Sequence, residues 1–221
     1  MKFSKDFKEI KGDASFRKFY RNTKKNSIIV FANKEKTKNL LIYDSINKIL
    51  IKNNIIAPQL LSQNYKKNYI EIQDLGKKTI YQIFSNYKKK QYPIFKKAIN
   101  VLNKIQLVKD KKIKNFKNEF YLIKDYKNKI LLDEANLFSH WYVPKKLDKK
   151  KINIFKTKFN REIKLLLSKL HFKNDTFVHR DFHVSNLIVN SKNQIGLIDN
   201  QDALIGNKAY DLASLIDDVR Y

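Results

Sequence analysis

Three oxygen-bearing side chains near the end of the chain have the types and spacing of a catalytic centre. Asp181 lies in a polar loop between two short apolar segments, Asn186 follows five residues later, and Asp199 comes directly after a third apolar segment, residues 195–198. The last two apolar segments are spaced to form a β-hairpin, which brings Asn186 and Asp199 together. An acid, an amide and a second acid in this order form the layout of a phosphoryl-transfer site.

Each residue type suits one requirement of phosphoryl transfer to an alcohol. The carboxylate of Asp181 can orient the acceptor hydroxyl and accept its proton. The phosphates of ATP carry charge that magnesium neutralises, and magnesium takes hard oxygen ligands such as a carboxylate and an amide oxygen. We therefore predict that Asn186 and Asp199 hold Mg²⁺ and that catalysis depends on positioning and electrostatics.

Ordinary loop chemistry is the alternative for these residues. A polar loop on a hairpin would account for Asp181, and turns or caps would account for Asn186 and Asp199. However, HRDFHVSN followed by IDN matches, apart from Asn200, the kinase pattern of His-Arg-Asp, four residues, Asn and a later metal-binding Asp. The joint presence of the three residues favours catalysis. We call residues 179–186 the catalytic loop.

Four further polar residues of this region have supporting or open roles. We interpret His179 as a structural residue that hydrogen-bonds the backbone near Asp199, and Arg180 as a cation that stabilises the loop. His183 is open between loop packing and contact with the acceptor. Asp202 is open between acceptor binding and the surface.

Composition limits the class of protein. The chain has 221 residues, 43% of them hydrophobic, and no cysteine, so it has material for a core and no disulfide framework. No run is long and apolar enough to span a membrane, and the N-terminus lacks the apolar core of a signal peptide. We therefore expect a cytoplasmic protein with access to ATP.

The net charge of +26 raises the question of nucleic-acid binding. Almost all the positive charge is lysine spread along the whole chain, which is also rich in Asn and Ile. An AT-rich coding sequence tends to produce this composition. We expect nonspecific attraction to polyanions and no specific nucleic-acid partner.

The elements that must position the catalytic loop fall into two parts. Residues 1–75 are predicted to form a strand-rich lobe with one helix, residues 39–52; its strands include SIIVF (27–31), residues 60–61 and residues 69–73. Residues 76–221 are predicted to form a larger, mainly helical lobe. Its clearest amphipathic helix, residues 152–172, carries an apolar stripe that we interpret as ordinary core.

With these residues in view, the chain resembles the aminoglycoside phosphotransferase-like kinases. More narrowly, it is similar to the anomeric sugar kinases that act on N-acetylmuramate and N-acetylglucosamine. Four segments carry the resemblance: GDASFRKFYR (12–21), IEIQDLGKKTI (70–80), FVHRDFHVSNLIV (177–189) and IGLIDNQDALIGNKAYDLASLIDD (195–218).

The resemblance implies an α+β, two-lobed protein-kinase-like fold that uses ATP and magnesium. The γ-phosphate would pass to a small-molecule hydroxyl, and for the amino-sugar subgroup this is the anomeric hydroxyl. The product would be a sugar 1-phosphate used in cell-wall recycling.

The resemblance also implies roles outside the catalytic loop. Ser15 and Arg17 contact the nucleotide phosphates, where the alternative is an exposed hairpin, and Asp74 lies at the nucleotide-binding hinge. Asp211 hydrogen-bonds the backbone of the catalytic loop, where the alternative is a carboxylate at a helix N-terminus. For Trp141 the main interpretation is core or helix surface, and stacking on a sugar face is the alternative.

The chain departs from the family pattern at three places. Asn200 stands where the subgroup usually has an aromatic residue, from which we expect looser packing of the metal-binding segment. The SIIVF strand lacks the lysine that kinases pair with phosphates, and Lys34 lies just past it. The chain stops at Tyr221, whereas members of the family continue with further helices, so we expect a missing C-terminal segment or a partner chain. The alternative function is a catalytically weak ATP-binding protein.

Overall fold

The structure is a computed structural model that describes residues 5–10, 17–32, 38–86, 91–170 and 173–218. Ser15, for which the resemblance implies a phosphate contact, and Lys34 lie outside these ranges.

The N-terminal part is a five-stranded antiparallel sheet. Its strands are β1 (Phe7–Ile10), β2 (Arg17–Asn22), β3 (Ser27–Ala32), β4 (Leu60–Asn64) and β5 (Tyr69–Gln73), and their order across the sheet is β1-β2-β3-β5-β4. The predicted strands are confirmed. The edge strand β1 was not predicted, because FKEI alternates weakly and owes its conformation to pairing with β2.

One helix, α1 (Lys38–Lys52), packs against this sheet, as predicted. Its first half contributes Leu40 and Tyr43 to the core beneath the sheet. Its second half contributes Ile46, Ile49 and Leu50 to the core of the helical part. The burial of both halves therefore ties the position of the sheet to that of the remaining chain.

The C-terminal part combines helices with short strand pairs. The helices are α2 (Ile80–Asn86), α3 (Gln91–Gln106), α4 (Asn128–Leu137), α5 (Lys149–Lys169) and α6 (Ala209–Ile216). The strands are β6 (Lys112–Lys114), β7 (Phe120–Leu122), β8 (Thr176–Val178), β9 (Leu187–Val189), β10 (Ile195–Leu197) and β11 (Leu204–Gly206), paired as β6-β7, β9-β10 and β8-β11. The sequence analysis did not predict β6, β7 or β11, and the strand conformation of β11 depends on pairing with β8, a separate segment of the chain.

The interpretation of the α5 stripe as ordinary core is wrong. No residue of α5 is buried, and Leu166 is 52% exposed. Near its N-terminal half, Phe155 and Phe159 pack against Phe138, at ring-centroid distances of 6.3 and 5.7 Å. Among the described residues, packing partners contact only part of the stripe. The amphipathic pattern therefore predicted the helix correctly but not the burial of its apolar face.

The fold is α+β with two lobes, as predicted. We propose the lobe boundary between residues 75 and 76, since β5 ends at Gln73 and α2 begins at Ile80. Within the described ranges, no helix has the length and apolar character needed to cross a membrane.

Candidate active site

A cleft of about 570 Å³ lies between the sheet and the helical part, within the size range of small-molecule sites. Its lining includes Asp74 on the sheet side and, on the other side, Asp181, His183, Asn186 and Asp199. The structure therefore brings together the three residues on which the sequence analysis based its phosphoryl-transfer hypothesis.

The β9-β10 hairpin joins the two candidate metal ligands. Leu187 pairs with Leu197 in the hairpin, and the amide of Ile198 donates to the carbonyl of Asn186 at 3.1 Å. The side chain of Asn186 donates from Nδ2 to the carbonyl of Asp181 at 3.0 Å. This use of Nδ2 leaves the amide oxygen of Asn186 as the atom suited to a cation.

Asp199 is hydrogen-bonded to one residue of the opposite lobe and to one of its own. Its Oδ1 accepts hydrogen bonds from Nη2 of Arg17 and from Nε2 of Gln201, both at 3.1 Å. Arg17 lies on β2 and is only 8% exposed, whereas the side chain of Asp199 is 36% exposed, so this ion pair joins the two lobes with one partner buried and the other open to solvent. The backbone of Asp199 is left-handed, with φ of 63°, a conformation that Asp adopts more readily than most residues.

The donor set fits magnesium. The described residues contain no group of three or more His, Cys, Asp or Glu side chains that could hold a metal ion. One carboxylate and one amide oxygen, supplied by Asp199 and Asn186, suit a Mg²⁺ ion that keeps waters and takes phosphate oxygens as its other ligands. Among the described residues, both hydrogen bonds to the Asp199 carboxylate use Oδ1.

Asp211 on α6 fixes the backbone of the catalytic loop. Its carboxylate accepts the amides of His179 and Arg180 at 2.7 and 2.9 Å. Arg180 has a φ of 75°, so this contact holds a conformation that is uncommon for Arg. Burial raises the pKa of Asp211, and the two backbone hydrogen bonds oppose that effect.

We expect that replacing Asp211 by Ala lowers the free energy of unfolding by about 3 kcal/mol, because two buried amides lose their acceptor. Urea denaturation followed by circular dichroism measures the change. Asp217→Ala, which removes an exposed carboxylate at the end of the same helix, is the control and should change the value by less than about 0.5 kcal/mol. Equal effects of the two substitutions would contradict the assignment.

The imidazole of His179 connects the loop to the Asp199 segment. Its Nε2 lies 3.2 Å from the carbonyl of Ile198 and 2.7 Å from Oδ1 of Asn200, while the amide of Asp181 donates to Nδ1 at 3.3 Å. Two oxygen acceptors at Nε2 and a donor at Nδ1 assign the hydrogen to Nε2. His179 thus contacts the backbone near Asp199, as the sequence analysis expected; its structural role remains a proposal.

The structure gives no support to looser packing at Asn200. Its side chain is fully buried, and Nδ2 donates to Oδ1 of Asn47 at 2.7 Å and to the carbonyl of Leu197 at 3.2 Å. Hydrogen bonds therefore hold this position, where apolar contact was expected to be needed.

Asp181 combines access to the cleft with partial burial. Burial raises its pKa, as do the nearby charges of Asp199 and Asp202, while His179 and His183 lower it. The amide of His183 donates to the backbone carbonyl of Asp181 at 3.0 Å, which closes the turn. The carboxyl group is thus held at the cleft in a setting that increases its affinity for a proton.

The hinge is closed by a clamp in which Asp74 plays the central part. Arg21 donates to both carboxylate oxygens of Asp74, at 2.5 and 3.2 Å, and to the carbonyl of Gly76 at 2.9 Å. The amide of Gly76 donates back to Asp74 at 2.9 Å. Asp74 therefore shapes the cleft through the hinge, and its predicted contact with nucleotide remains a proposal.

Arg180 anchors the loop to α4. Its guanidinium forms an ion pair with Glu134 and lies over the ring of Tyr126, 5.3 Å from the centroid. Tyr126 donates to the same carboxylate. The sequence analysis assigned no role to Tyr126 or to Arg21, and the partner of each lies on another element.

Two predicted acceptor residues lie away from the cleft lining. Trp141, in the π-helical turn Phe138–Tyr142 after α4, is 71% exposed. Asp202 is exposed, and its Oδ2 accepts from Gln201 at 2.7 Å. The acceptor contacts predicted for these residues remain proposals.

Comparison with known proteins gives matches to a family and to individual sequences. The sequence model of the phosphotransferase enzyme family matches residues 6–221. The N-acetylmuramate/N-acetylglucosamine kinase of Pseudomonas putida is 26% identical over 207 residues, which cover 93% of this chain and 58% of that protein. The kinase of the same name from Neisseria meningitidis is 26% identical over 210 residues, 93% of this chain and 59% of that protein. The chain thus spans less than two thirds of these relatives.

Solved structures agree at the level of the fold. An aminoglycoside phosphotransferase from Streptomyces rimosus matches with a TM-score of 0.67 at 11% identity, over 96% of this chain and 76% of that one. The aminoglycoside-3'-phosphotransferase of type VIII matches with 0.66 at 11% identity, over 98% and 79%. A choline kinase from Streptococcus pneumoniae gives 0.60 at 14% identity, over 95% and 68%. The predicted kinase-like fold is confirmed.

Proposed function

Because the chain belongs to the phosphotransferase enzyme family, we propose that it transfers the γ-phosphate of ATP to a hydroxyl group of a small molecule. One observation carries this proposal: Asp181, Asn186 and Asp199 line the same cleft between the two lobes. Because the proposed reaction consumes ATP, we expect it to take place in the cytoplasm.

In the proposed reaction, the acceptor oxygen bonds to the γ-phosphorus and the bond to the bridging oxygen of ADP breaks. Asp181 orients the acceptor hydroxyl and takes its proton. Asn186 and Asp199 would hold Mg²⁺, which supplies charge neutralisation at the phosphates. The loop that carries Asp181 is fixed by Asp211 through two backbone amides, so its carboxylate is positioned before the substrate arrives.

The nucleotide phosphates would lie beside β2 and the hinge. Arg17 on β2 is 8% exposed, and we propose it for the phosphate contact that kinases make with a strand lysine. Ser15 precedes β2 in the chain, and Asp74 is among the residues that line the cleft. A guanidinium offers two parallel donors to phosphate oxygens, which suits this position.

For the acceptor, we propose the anomeric hydroxyl of an amino sugar, either N-acetylmuramate or N-acetylglucosamine, in cell-wall recycling. The support is the resemblance of four segments to that subgroup and the 26% identity to the kinases of that name. His183, which lines the cleft, Asp202 and Trp141 are the residues that we propose for contact with the sugar.

Incubation with ATP, Mg²⁺ and N-acetylglucosamine or N-acetylmuramate, followed by phosphorus NMR, tests the proposal. We expect ADP and a sugar 1-phosphate in equal amounts. The methyl glycoside of N-acetylglucosamine, whose anomeric oxygen is blocked, is the matched control and should give neither product. Product from the blocked sugar would place the reaction at another hydroxyl, and product from kanamycin or choline alone would overturn the amino-sugar assignment.

The raised pKa of Asp181 predicts a specific pH dependence. The carboxylate form accepts the proton, so turnover is lost as the pH falls through the raised pKa, above the value of about 3.9 for a free Asp. We expect this acidic limb in kcat while ATP affinity, measured by calorimetry at each pH, changes less. A kcat that is constant down to pH 4 would contradict the assignment of the base.

A second candidate function is ATP binding with little turnover. The ion pair between Arg17 and Asp199 favours it, because Arg17 occupies an oxygen of a candidate metal ligand. Heat-denaturation scans with ATP and Mg²⁺ separate the two functions: stabilisation without product supports the second, and the absence of stabilisation counts against both.

A further inference from the structure

We propose that Asn47 and Asn200 form a positioning pair through which α1 sets the orientation of the candidate metal ligand Asp199 and of the catalytic loop. The inference rests on the proposed function and extends it to two residues that are not among those lining the cleft. Neither residue had a role in the sequence analysis beyond the departure noted at Asn200.

The pair forms one continuous chain of hydrogen bonds between the lobes. Nδ2 of Asn200 donates to Oδ1 of Asn47 at 2.7 Å, and Oδ1 of Asn200 accepts from Nε2 of His179 at 2.7 Å. The three side chains are at most 3% exposed. In such a dry environment each bond is stronger than in water, and loss of one partner leaves the other unsatisfied.

This series of hydrogen bonds leads to both acidic residues of the site, Asp199 and Asp181. Asn200 directly follows Asp199, so its side chain fixes the backbone that carries the carboxylate. His179 accepts the amide of Asp181 at Nδ1, at 3.3 Å. A shift of Asn47 would therefore reach Asp199 through Asn200 and Asp181 through His179.

The helix presents a second residue to the same place. Tyr43 lies one turn before Asn47 on α1 and lines the cleft. Burial raises its pKa, and the charge of Asp199 raises it further. Tyr43 and Asn47 thus both face the segment that carries Asp199. The position of α1 therefore determines how that segment is held.

A double-mutant cycle tests the pair, with Asn47→Ala, Asn200→Ala and the double variant. The readouts are kcat, KM for ATP, and the ratio of ATP dissociation constants with and without Mg²⁺, measured by calorimetry. We expect each single variant to lower kcat about 10- to 100-fold and to reduce the Mg²⁺-dependent gain in affinity. ATP affinity without Mg²⁺ should stay within about twofold, and the double variant should resemble the worse single one.

Asn53→Ala is the matched control. Asn53 is also a hydrogen-bonded Asn, just beyond the end of α1, but its Nδ2 bonds to Ile49 and Asp110 away from the cleft. We expect unchanged kcat and an unchanged Mg²⁺ ratio for this variant, even if its melting temperature falls.

A purely structural role would give a different result. Variants that lose stability but keep the wild-type kcat and Mg²⁺ ratio below their melting temperature would overturn the inference, and so would effects that simply add in the double variant. If the wild-type chain binds ATP with Mg²⁺ but turns nothing over, the proposed function fails while the Mg²⁺ ratio still decides this inference. An unchanged ratio in the variants would then reject it.

NMR of the protein labelled with ¹⁵N-histidine gives a readout that requires no activity, since the chain has four histidines. We expect His179 to carry its hydrogen on Nε2 in the wild type and to shift in Asn47→Ala, although Asn47 does not touch the ring. An unshifted His179 would contradict the proposed chain.

Discussion

Replacing Asp181 by Asn should lower kcat by about 1,000-fold and leave ATP affinity within about twofold of the wild-type value. A positioned general base contributes about 10²- to 10⁴-fold, and Asn keeps the shape of the side chain without accepting a proton. The measurement is single-turnover transfer from ATP with saturating acceptor, together with calorimetric titration of ATP and Mg²⁺. Retention of more than about a tenth of the rate would show that Asp181 is not the base.

The matched control for this substitution is Asp175→Asn. Asp175 lies just before β8 in the same segment of the chain, and its carboxylate pairs with Lys173 at 3.1 Å on the surface. We expect wild-type kcat for this variant. A comparable loss in both variants would indicate that the assay reports folding and not proton acceptance.

Replacing Asp199 by Asn should abolish the Mg²⁺-dependent gain in ATP affinity and lower kcat by about 1,000-fold or more, because an amide binds magnesium far less well than a carboxylate. The magnitude is comparable with the electrostatic contribution of a preorganised group in other enzymes, about 10²- to 10³-fold. Titration with Mg²⁺ at fixed ATP measures the loss. Unchanged Mg²⁺ dependence would remove Asp199 from the metal site.

The same substitution has a second consequence in the ligand-free protein. Arg17 is 8% exposed and loses a charged partner. Breaking a buried ion pair costs about 3–5 kcal/mol, but the side chain of Asp199 is 36% exposed, so we expect about 1–2 kcal/mol. Arg17→Met separates this loss of stability from the loss of metal binding: it should lower the free energy of unfolding in urea denaturation and keep the Mg²⁺-dependent gain in ATP affinity.

The parts of the site that could be predicted from the sequence are local. The catalytic loop and the β9-β10 hairpin occupy adjacent segments. The short spacing between Asp181, Asn186 and Asp199 therefore predicts that the three side chains lie close together. The apolar runs of β3 and α1 identified those elements, because burial imposes a period of two or of 3.6 residues on the sequence.

The contacts that could not be predicted join distant segments. Asn47 and Asn200 are separated by 153 positions, and Arg17 and Asp199 by 182. Nothing in the neighbourhood of Asn47 marks it as buried against a hydrogen-bond partner, since an Asn on a helix is ordinarily exposed. The periodicity of α5 failed for a related reason: a pattern shows which face is apolar but not what covers it.

The clamp of Arg21 on Asp74 and Gly76 bears on how the cleft receives its ligand. Arg21 and Asp74 belong to the N-terminal lobe and Gly76 begins the other, so swinging the lobes apart would break the hydrogen bonds that Gly76 forms with Arg21 and with Asp74. The crevice is therefore preorganised, and ligand binding orders fewer internal degrees of freedom of the protein than it would in a loosely hinged enzyme. Affinity in such a site is gained by avoiding entropic loss, without any added contact.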